Sequence, residues 1–295
     1  MITLSSTTAT VSLKTPYHPL VPDWWLDALS SLEDLGRLVA TDLEDGIRLL
    51  RIERPRKLNA LNSYLWGRLI EELEKACRDK NVKAIVLAGT SKAFSVGDDI
   101  YEMYELADRL DARRFFELVG QAVGKLIECP KLVIAAVEGY AYGGGFEILL
   151  ACDIVVSSKS ARFSAPEARL GLYPPLLSTL GVLVLGLRRA KSLAVSAVSL
   201  SAEEARSMGI VDIVVGDGEA LEKAIEIART ITSEIPVEAI ETIKQVSTGI
   251  VRRLLGGELE KALQRLEELS ISERGKEYMG KWIEERRKRH REQNP

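Results

Sequence analysis

Two acidic residues, Glu147 and Glu167, carry the chemistry that this sequence can offer. Glu147 lies two residues past Gly143-Gly144-Gly145, and Glu167 directly follows Pro166. Two carboxylates that share a site and differ in protonation can add water across a double bond. One takes a proton from water and the other delivers a proton to carbon, because the first ionised charge raises the pKa of its neighbour. The glycines supply the second half of such a site. An apolar run from Leu132 to Val137 reads as a buried strand, and the segment from Phe146 to Cys152 after the glycines reads as a helix. That order puts unpaired backbone N–H groups at the mouth of a helix, where glycine lets a bound group come close. The same stretch also fits a plain tight turn whose Glu is favoured by the helix dipole.

Two further stretches accompany it. Upstream runs Ala93-Phe94-Ser95-Val96-Gly97-Asp98-Asp99-Ile100-Tyr101-Glu102-Met103, and downstream runs Phe163-Ser164-Ala165-Pro166-Glu167-Ala168-Arg169-Leu170-Gly171. In this order the three resemble the crotonase family of enoyl-CoA hydratases and isomerases, over residues 37 to 290. The resemblance implies an α/β fold, a crotonase-like spiral of β-β-α units with a helical C-terminal trimerisation region. It implies an oxyanion hole made by the backbone N–H groups of Asp98 and Gly144, with Glu147 and Glu167 as the catalytic pair, as in relatives that hydrate. For substrate binding it implies Val96, Asp99, Ile100 and Tyr101, with Tyr173 and Pro174 at the acyl pocket. Arg56 and Lys57, on the Arg54-Pro55-Arg56-Lys57-Leu58 loop, and Arg286, near the C-terminus, fall where relatives meet the CoA nucleotide; each also reads as a solvated charge. Neither a metal nor a redox cofactor is implied, since coenzyme A is part of the substrate.

The sequence departs from that pattern in two places. Asp98 stands where a small residue is common, and a carboxylate beside an oxyanion site is unfavourable unless it points away or is paired. Asp99 matches the family aspartate and is expected to brace the loop. After Gly171 the chain reads Leu172-Tyr173-Pro174-Pro175-Leu176-Leu177, where many hydratases are glycine-rich. Prolines and leucines are expected to stiffen this loop, to withhold spare amides and to offer an apolar wall, which suits an acyl group larger than crotonyl.

Local patterns give the strands and helices that carry these residues. Arg37 to Thr41, a turn at Asp45-Gly46 and Ile47 to Glu53 read as a hairpin. Leu65, Leu69, Leu73 and Ala76 recur at helical spacing, and Ile85 to Ala88 and Ile154 to Ser157 are short buried strands. Ser201 and Glu204 form a capping box, with Gly209 closing that helix. From Glu219 the sequence is helical only, broken at Pro236 and Gly256-Gly257. These patterns divide the chain into an N-terminal extension (1–36), a spiral core with the active site (37–216) and a helical C-terminal subdomain (217–295). In the extension, Asp23 to Leu29 reads as a short helix whose Trp24 and Trp25 pack on the core or on another subunit.

Composition narrows the function classes. With 295 residues, 46% hydrophobic and 28% charged, the chain is an ordinary globular one, and its net charge of −3 points to no nucleic-acid or membrane partner. No apolar run is long enough for a membrane helix, and the first residues lack a secretory pattern. The two histidines, His18 and His290, make neither a zinc site nor a Ser-His-Asp triad. Cys77, Cys129 and Cys152 are widely spaced and odd in number, which predicts reduced thiols and a cytoplasmic location. The leading expectation is reversible hydration of a 2-enoyl-CoA to a 3-hydroxyacyl-CoA by a homotrimer or dimer of trimers. An enoyl-CoA isomerase or dienoyl-CoA hydratase is the alternative within the family. In another class stands a crotonase-fold RNA-binding protein that uses the basic run Lys281 to Arg291 and keeps residual hydratase activity. The intact Glu pair and the acidic balance favour the enzyme.

Overall fold

A computed structural model describes residues 35–293, without the side chains of His290 and Gln293. The Asp23 to Leu29 segment, with Trp24 and Trp25, lies outside the described residues. A six-stranded sheet is assembled in the order β1 (Arg37–Asp42), β2 (Ile47–Glu53), β3 (Ala84–Ala88), β5 (Leu132–Val137), β7 (Ile154–Ser158) and β10 (Ile213–Val215). The β1–β2 pair is the antiparallel hairpin, with Asp45 and Gly46 at positive φ in its turn, and the remaining neighbours are parallel. Two-residue periodicity sorts the central strands. Leu50, Ile52, Ile85, Leu87, Val133 and Ala135 face one apolar cluster, and Ile47, Leu49, Val86 and Ile134 face another. Parallel strands covered on both faces read as continuous apolar runs, as Leu132 to Val137 does.

The first face carries helices α1 (Ser63–Arg78) and α3 (Arg109–Glu128), with the short α2 (Ile100–Glu105) between them in sequence. Asn62 caps α1, its side chain accepting the Leu65 N–H at 2.8 Å. The second face carries α8 (Ala220–Glu234), whose Ala220, Ala224 and Ala228 recur every four residues and let the helix approach the sheet closely. The change to helix-only sequence near residue 217 is therefore a change of composition and not of packing, because α8 closes the core of the sheet. Beyond it lie α9 (Val237–Leu255), α10 (Glu258–Ile271) and α11 (Glu273–Gln293), with α10 against α3 and α11 across α2.

A second sheet of four short strands has the order β4 (Ala93–Ser95), β6 (Tyr140–Tyr142), β8 (Arg162–Ser164) and β9 (Leu200–Ser201). Its first three strands are parallel and the last is antiparallel. Helices α4 (Gly144–Leu149), α5 (Leu180–Leu185), α6 (Leu187–Ser196) and α7 (Ala202–Ser207) complete the chain, α7 opening with the Ser201–Glu204 capping box.

The cysteines correct the sequence expectation. Cys77, in the last turn of α1, and Cys129, just past α3, form a disulfide, and Cys152 is the free thiol among the described residues. The ends of these two helices meet although the cysteines are 52 residues apart. The cysteine argument for a reducing compartment falls away with this bond. A disulfide closing a loop of that length stabilises a fold by about 2–4 kcal/mol, mainly by restricting the unfolded chain. The oxidised protein is expected to show a correspondingly higher denaturant midpoint than either Cys77→Ser or reduced protein. Equal midpoints would contradict a structural role for the bond.

Candidate active site

Three neighbouring parallel strands deliver the three motifs from their C-terminal ends. β4 runs into Val96-Gly97-Asp98, β6 into Gly143-Gly144-Gly145, and β8 into Ala165-Pro166-Glu167. Ligand sites of open parallel sheets form at such strand ends, because the loops leaving adjacent strands converge there. Here the convergence is backbone on backbone. Gly97 has φ +86°, and a Cβ added to it would fall 2.6 Å from the Gly144 nitrogen. A Cβ on Gly145 would fall 2.4 Å from the Ser95 carbonyl oxygen.

The Gly97 loop is held rigidly. Leu61 N–H donates to the Gly97 carbonyl at 2.8 Å, and Asp99 N–H donates to the Leu61 carbonyl at 2.9 Å. These bonds bracket Asp98 and leave its own N–H aside. Among the described residues, neither the Asp98 nor the Gly144 N–H has a protein acceptor. The Ser95 hydroxyl donates to the Asn59 carbonyl at 2.8 Å and accepts from Gly97 N–H at 3.1 Å. Asp99 is buried and accepts from Arg54 Nη1 at 2.6 Å and from Tyr101 N–H at 3.0 Å. Both its oxygens are thus engaged in bracing the loop and capping α2, and it is not available as a substrate-binding side chain. Glu102 completes this layer by accepting from the Ser63 N–H at 2.9 Å and from the Ser63 hydroxyl. Burial pushes the Glu102 carboxyl up to about 8.

Glu147 sits in the first turn of α4 and is 3% exposed. Its Oε1 accepts from the Leu177 N–H at 2.8 Å, and the Leu176 amide acts in the same direction. Glu167, less enclosed, opens a short 3-10 turn; a Cβ on Gly143 would fall 3.2 Å from its Oε1, and its Oε2 is buried without a hydrogen-bond partner. Burial raises both carboxyls above the ordinary range, Glu167 to about 8, and the charge of Glu167 adds to the rise at Glu147. Burial thus favours the neutral form of both carboxyls, and the charge of one opposes ionisation of the other, so the pair resists losing both protons.

The proline-leucine loop behaves differently from its sequence expectation. Leu176 and Leu177 are fully buried in the main core, so they do not form an open acyl wall, and Pro174 is buried as well. The loop's amides, expected to be withheld, are what hold Glu147. Tyr173 is half-buried near Glu147, and its hydroxyl donates to the Ala262 carbonyl of α10. The expected preference for a bulky acyl group therefore loses its structural basis.

The remaining expected residues form a ladder on the outer side. Lys57 Nζ stands 4.6 Å from the centre of the Tyr101 ring. Tyr101 meets Trp282 of α11 edge to face at 6.3 Å, and Arg286 lies 5.3 Å over Trp282. Arg56 is exposed beside Lys57, and Val96 and Ile100 are half-buried next to the Gly97 loop. Trp282 was not among the residues expected at the site; its position four residues before Arg286 on a helix is the signal that could have found it. Trp66 was missed too, and nothing local marks it: its indole N–H donates to Asp98 Oδ1 at 2.9 Å across the two elements.

A family model described as enoyl-CoA hydratase/isomerase matches residues 42–293. A short-chain-enoyl-CoA hydratase of Clostridium acetobutylicum is 39% identical over 210 residues, covering 70% of this chain and 79% of that protein. A 2,3-dehydroadipyl-CoA hydratase of Escherichia coli is 35% identical over 202 residues, covering 68% and 77% respectively. The solved structure of an enoyl-CoA hydratase from Bacillus halodurans superposes with a TM-score of 0.76 at 23% identity, covering 82% of this chain and 98% of that one. That likeness concerns the fold.

Proposed function

Because this chain belongs to the enoyl-CoA hydratase/isomerase family and is an enzyme of it, we propose that it adds water reversibly across the double bond of a 2-enoyl-CoA thioester. The observation that carries this reading is the Glu147–Glu167 pair, delivered by adjacent parallel strands beside two amides without protein acceptors. Glu147 is assigned as the base on geometry: its Oε1 accepts from the Leu177 N–H, which offsets part of the rise that burial imposes, whereas Glu167 Oε2 has no such partner. It takes a proton from water as the water oxygen bonds to the β-carbon. The double-bond electrons move to the α-carbon and the thioester carbonyl, and the resulting oxyanion lies on the Asp98 and Gly144 N–H groups. Glu167, with a buried and unpartnered Oε2, gives its proton to the α-carbon. Reverse transfer through solvent restores the starting protonation. Nothing in these steps is oxidised or reduced, so the reading calls for no cofactor, coenzyme A being part of the substrate.

The same reading puts the CoA nucleotide along the ladder of Lys57, Tyr101, Trp282 and Arg286, with Arg56 at its rim. Cations next to aromatic faces suit a substrate that offers phosphates and an adenine ring. A turnover screen over straight, branched and cyclic enoyl-CoAs tests the assignment. Loss of conjugated thioester absorbance with formation of 3-hydroxyacyl-CoA is expected for at least one substrate. Unchanged absorbance across the whole screen would defeat it.

Assembly into a homotrimer or a dimer of trimers belongs to this reading. Its support is an exposed apolar stripe on α9, where Ile243, Val246, Ile250 and Leu254 follow helical spacing. Leu183, Val184 and Leu187 extend exposed apolar surface on α5 and α6. Light scattering is expected to give three or six chains per particle at micromolar concentration, and a monomer would contradict the assembly.

A further inference from the structure

Asp98 contributes two groups to the same small region. Its N–H is one of the two amides assigned to the oxyanion, and its carboxyl turns back over the other. Oδ1 accepts the Trp66 indole N–H at 2.9 Å. A Cβ added to Gly144 would fall 3.6 and 3.7 Å from the two carboxyl oxygens, so the carboxyl rests against the residue that supplies the second amide. Trp66 is fully buried and is a neutral donor, which can serve this carboxyl whether or not it is ionised. It fixes the position of the group and offsets only part of the rise that burial imposes on it.

We propose that the Asp98 carboxyl governs the oxyanion site through its charge, supporting turnover as the neutral acid and opposing it as the carboxylate; this rests on the hydratase reading above. The surroundings argue for it. From the same loop the neighbouring charge is Asp99, whose carboxylate is bonded to Arg54. From α4 it is Glu147, from the turn after β8 it is Glu167, and from α1 it is the neutral Trp66. Asp99 opposes ionisation of Asp98, a charge on Asp98 in turn raises Glu147 and Glu167, and a negative charge there opposes an oxyanion forming on its own N–H and on Gly144. Burial accordingly raises the Asp98 carboxyl to about 7, with the Trp66 bond pulling the other way and Asp99 adding to the rise. An acid so raised is neutral below that pH and ionised above it. The oxyanion site therefore loses support as pH rises through neutrality, and Asp98 sets the alkaline limb of activity.

The test compares wild-type enzyme with Asp98→Asn, whose side-chain oxygen still accepts from Trp66 but never ionises. The alkaline limb of kcat/KM is expected to move up by about half a pH unit, stopping where Glu167 takes over, so that kcat/KM at about pH 8.5 relative to about pH 6.5 rises about threefold. Tryptophan fluorescence gives a readout independent of turnover: the wild type minus variant difference should show a step near neutral pH from Trp66. Should Asp98→Asn not fold, Trp66→Phe removes the bond that lowers the Asp98 pKa and should also move the limb upward. Coincident alkaline limbs in an active hydratase, or no fluorescence step dependent on Asp98, would overturn the proposal alone. No turnover of any enoyl-CoA by the wild type would overturn the hydratase reading, and this proposal with it.

Discussion

Glu147→Gln and Glu167→Gln each lower kcat for hydration by about two to four orders of magnitude, while CoA thioesters still bind. The expectation follows from the distinct demands on the two side chains. Glutamine at 147 still accepts from the Leu177 amide, so the fold of the loop survives, but the group can no longer take a proton from water. Glutamine at 167 keeps the size of the side chain and loses the proton that the α-carbon needs. Because the two act as a unit, the double variant should lose little more than either single one. Each substitution also removes a carboxyl whose ionisation opposes that of its partner. The remaining glutamate should titrate closer to its ordinary value, and the pH profile of residual activity should change shape. Steady-state kinetics and ligand titration measure both effects. Losses below about tenfold for both variants would sink the acid–base assignment.

Gly97→Ala is expected to lower kcat by about 10²–10³-fold, the scale for loss of an oxyanion donor. The added Cβ meets backbone on both sides, 2.6 Å from the Gly144 nitrogen and 2.9 Å from the Tyr142 carbonyl oxygen. Neither neighbour can rotate away as a side chain would, so the β4 and β6 loops must separate. The Asp98 and Gly144 amides move apart with them. Positive φ adds strain of about 1–3 kcal/mol. Gly209→Ala is the matched control: Gly209 has φ +81° and open space where its Cβ would go. It lies at the end of α7, away from the site, so it should lose stability and keep kcat. Similar kcat losses in both variants would mean that the Gly97 effect is strain alone, contrary to the account.

Much of the local structure was legible because it is local. The Leu132 to Val137 strand, the hairpin around Asp45-Gly46 and the Ser201–Glu204 cap each depend on a few neighbouring residues. The three motifs of the site were legible as well, through family resemblance. Their common origin at the ends of β4, β6 and β8 was not. Each of those strands has three residues, too few for a period to show, and their pairing joins segments far apart in sequence. The Cys77–Cys129 bond was hidden for the same reason, since helix ends meet only through tertiary packing. The proline-leucine loop misled in a different way. Side-chain type predicted an apolar wall, whereas the leucine side chains enter the core and their N–H groups face Glu147. Side-chain chemistry says little about where a loop points its amides. The α8 case held a readable clue, because Ala220, Ala224 and Ala228 at four-residue spacing mark a helix that lies close on a sheet.

The most direct test of the central claim is to incubate the enzyme with a 2-enoyl-CoA in D2O and locate the deuterium in the product by mass spectrometry and NMR. Hydration by the Glu147–Glu167 pair predicts a 3-hydroxyacyl-CoA that has gained one oxygen on the β-carbon and carries one deuterium on the α-carbon, with this product not above background in Glu147→Gln. A product of unchanged oxygen count, with its double bond moved to the β,γ position and the deuterium on the α-carbon, would contradict hydration and identify an isomerase.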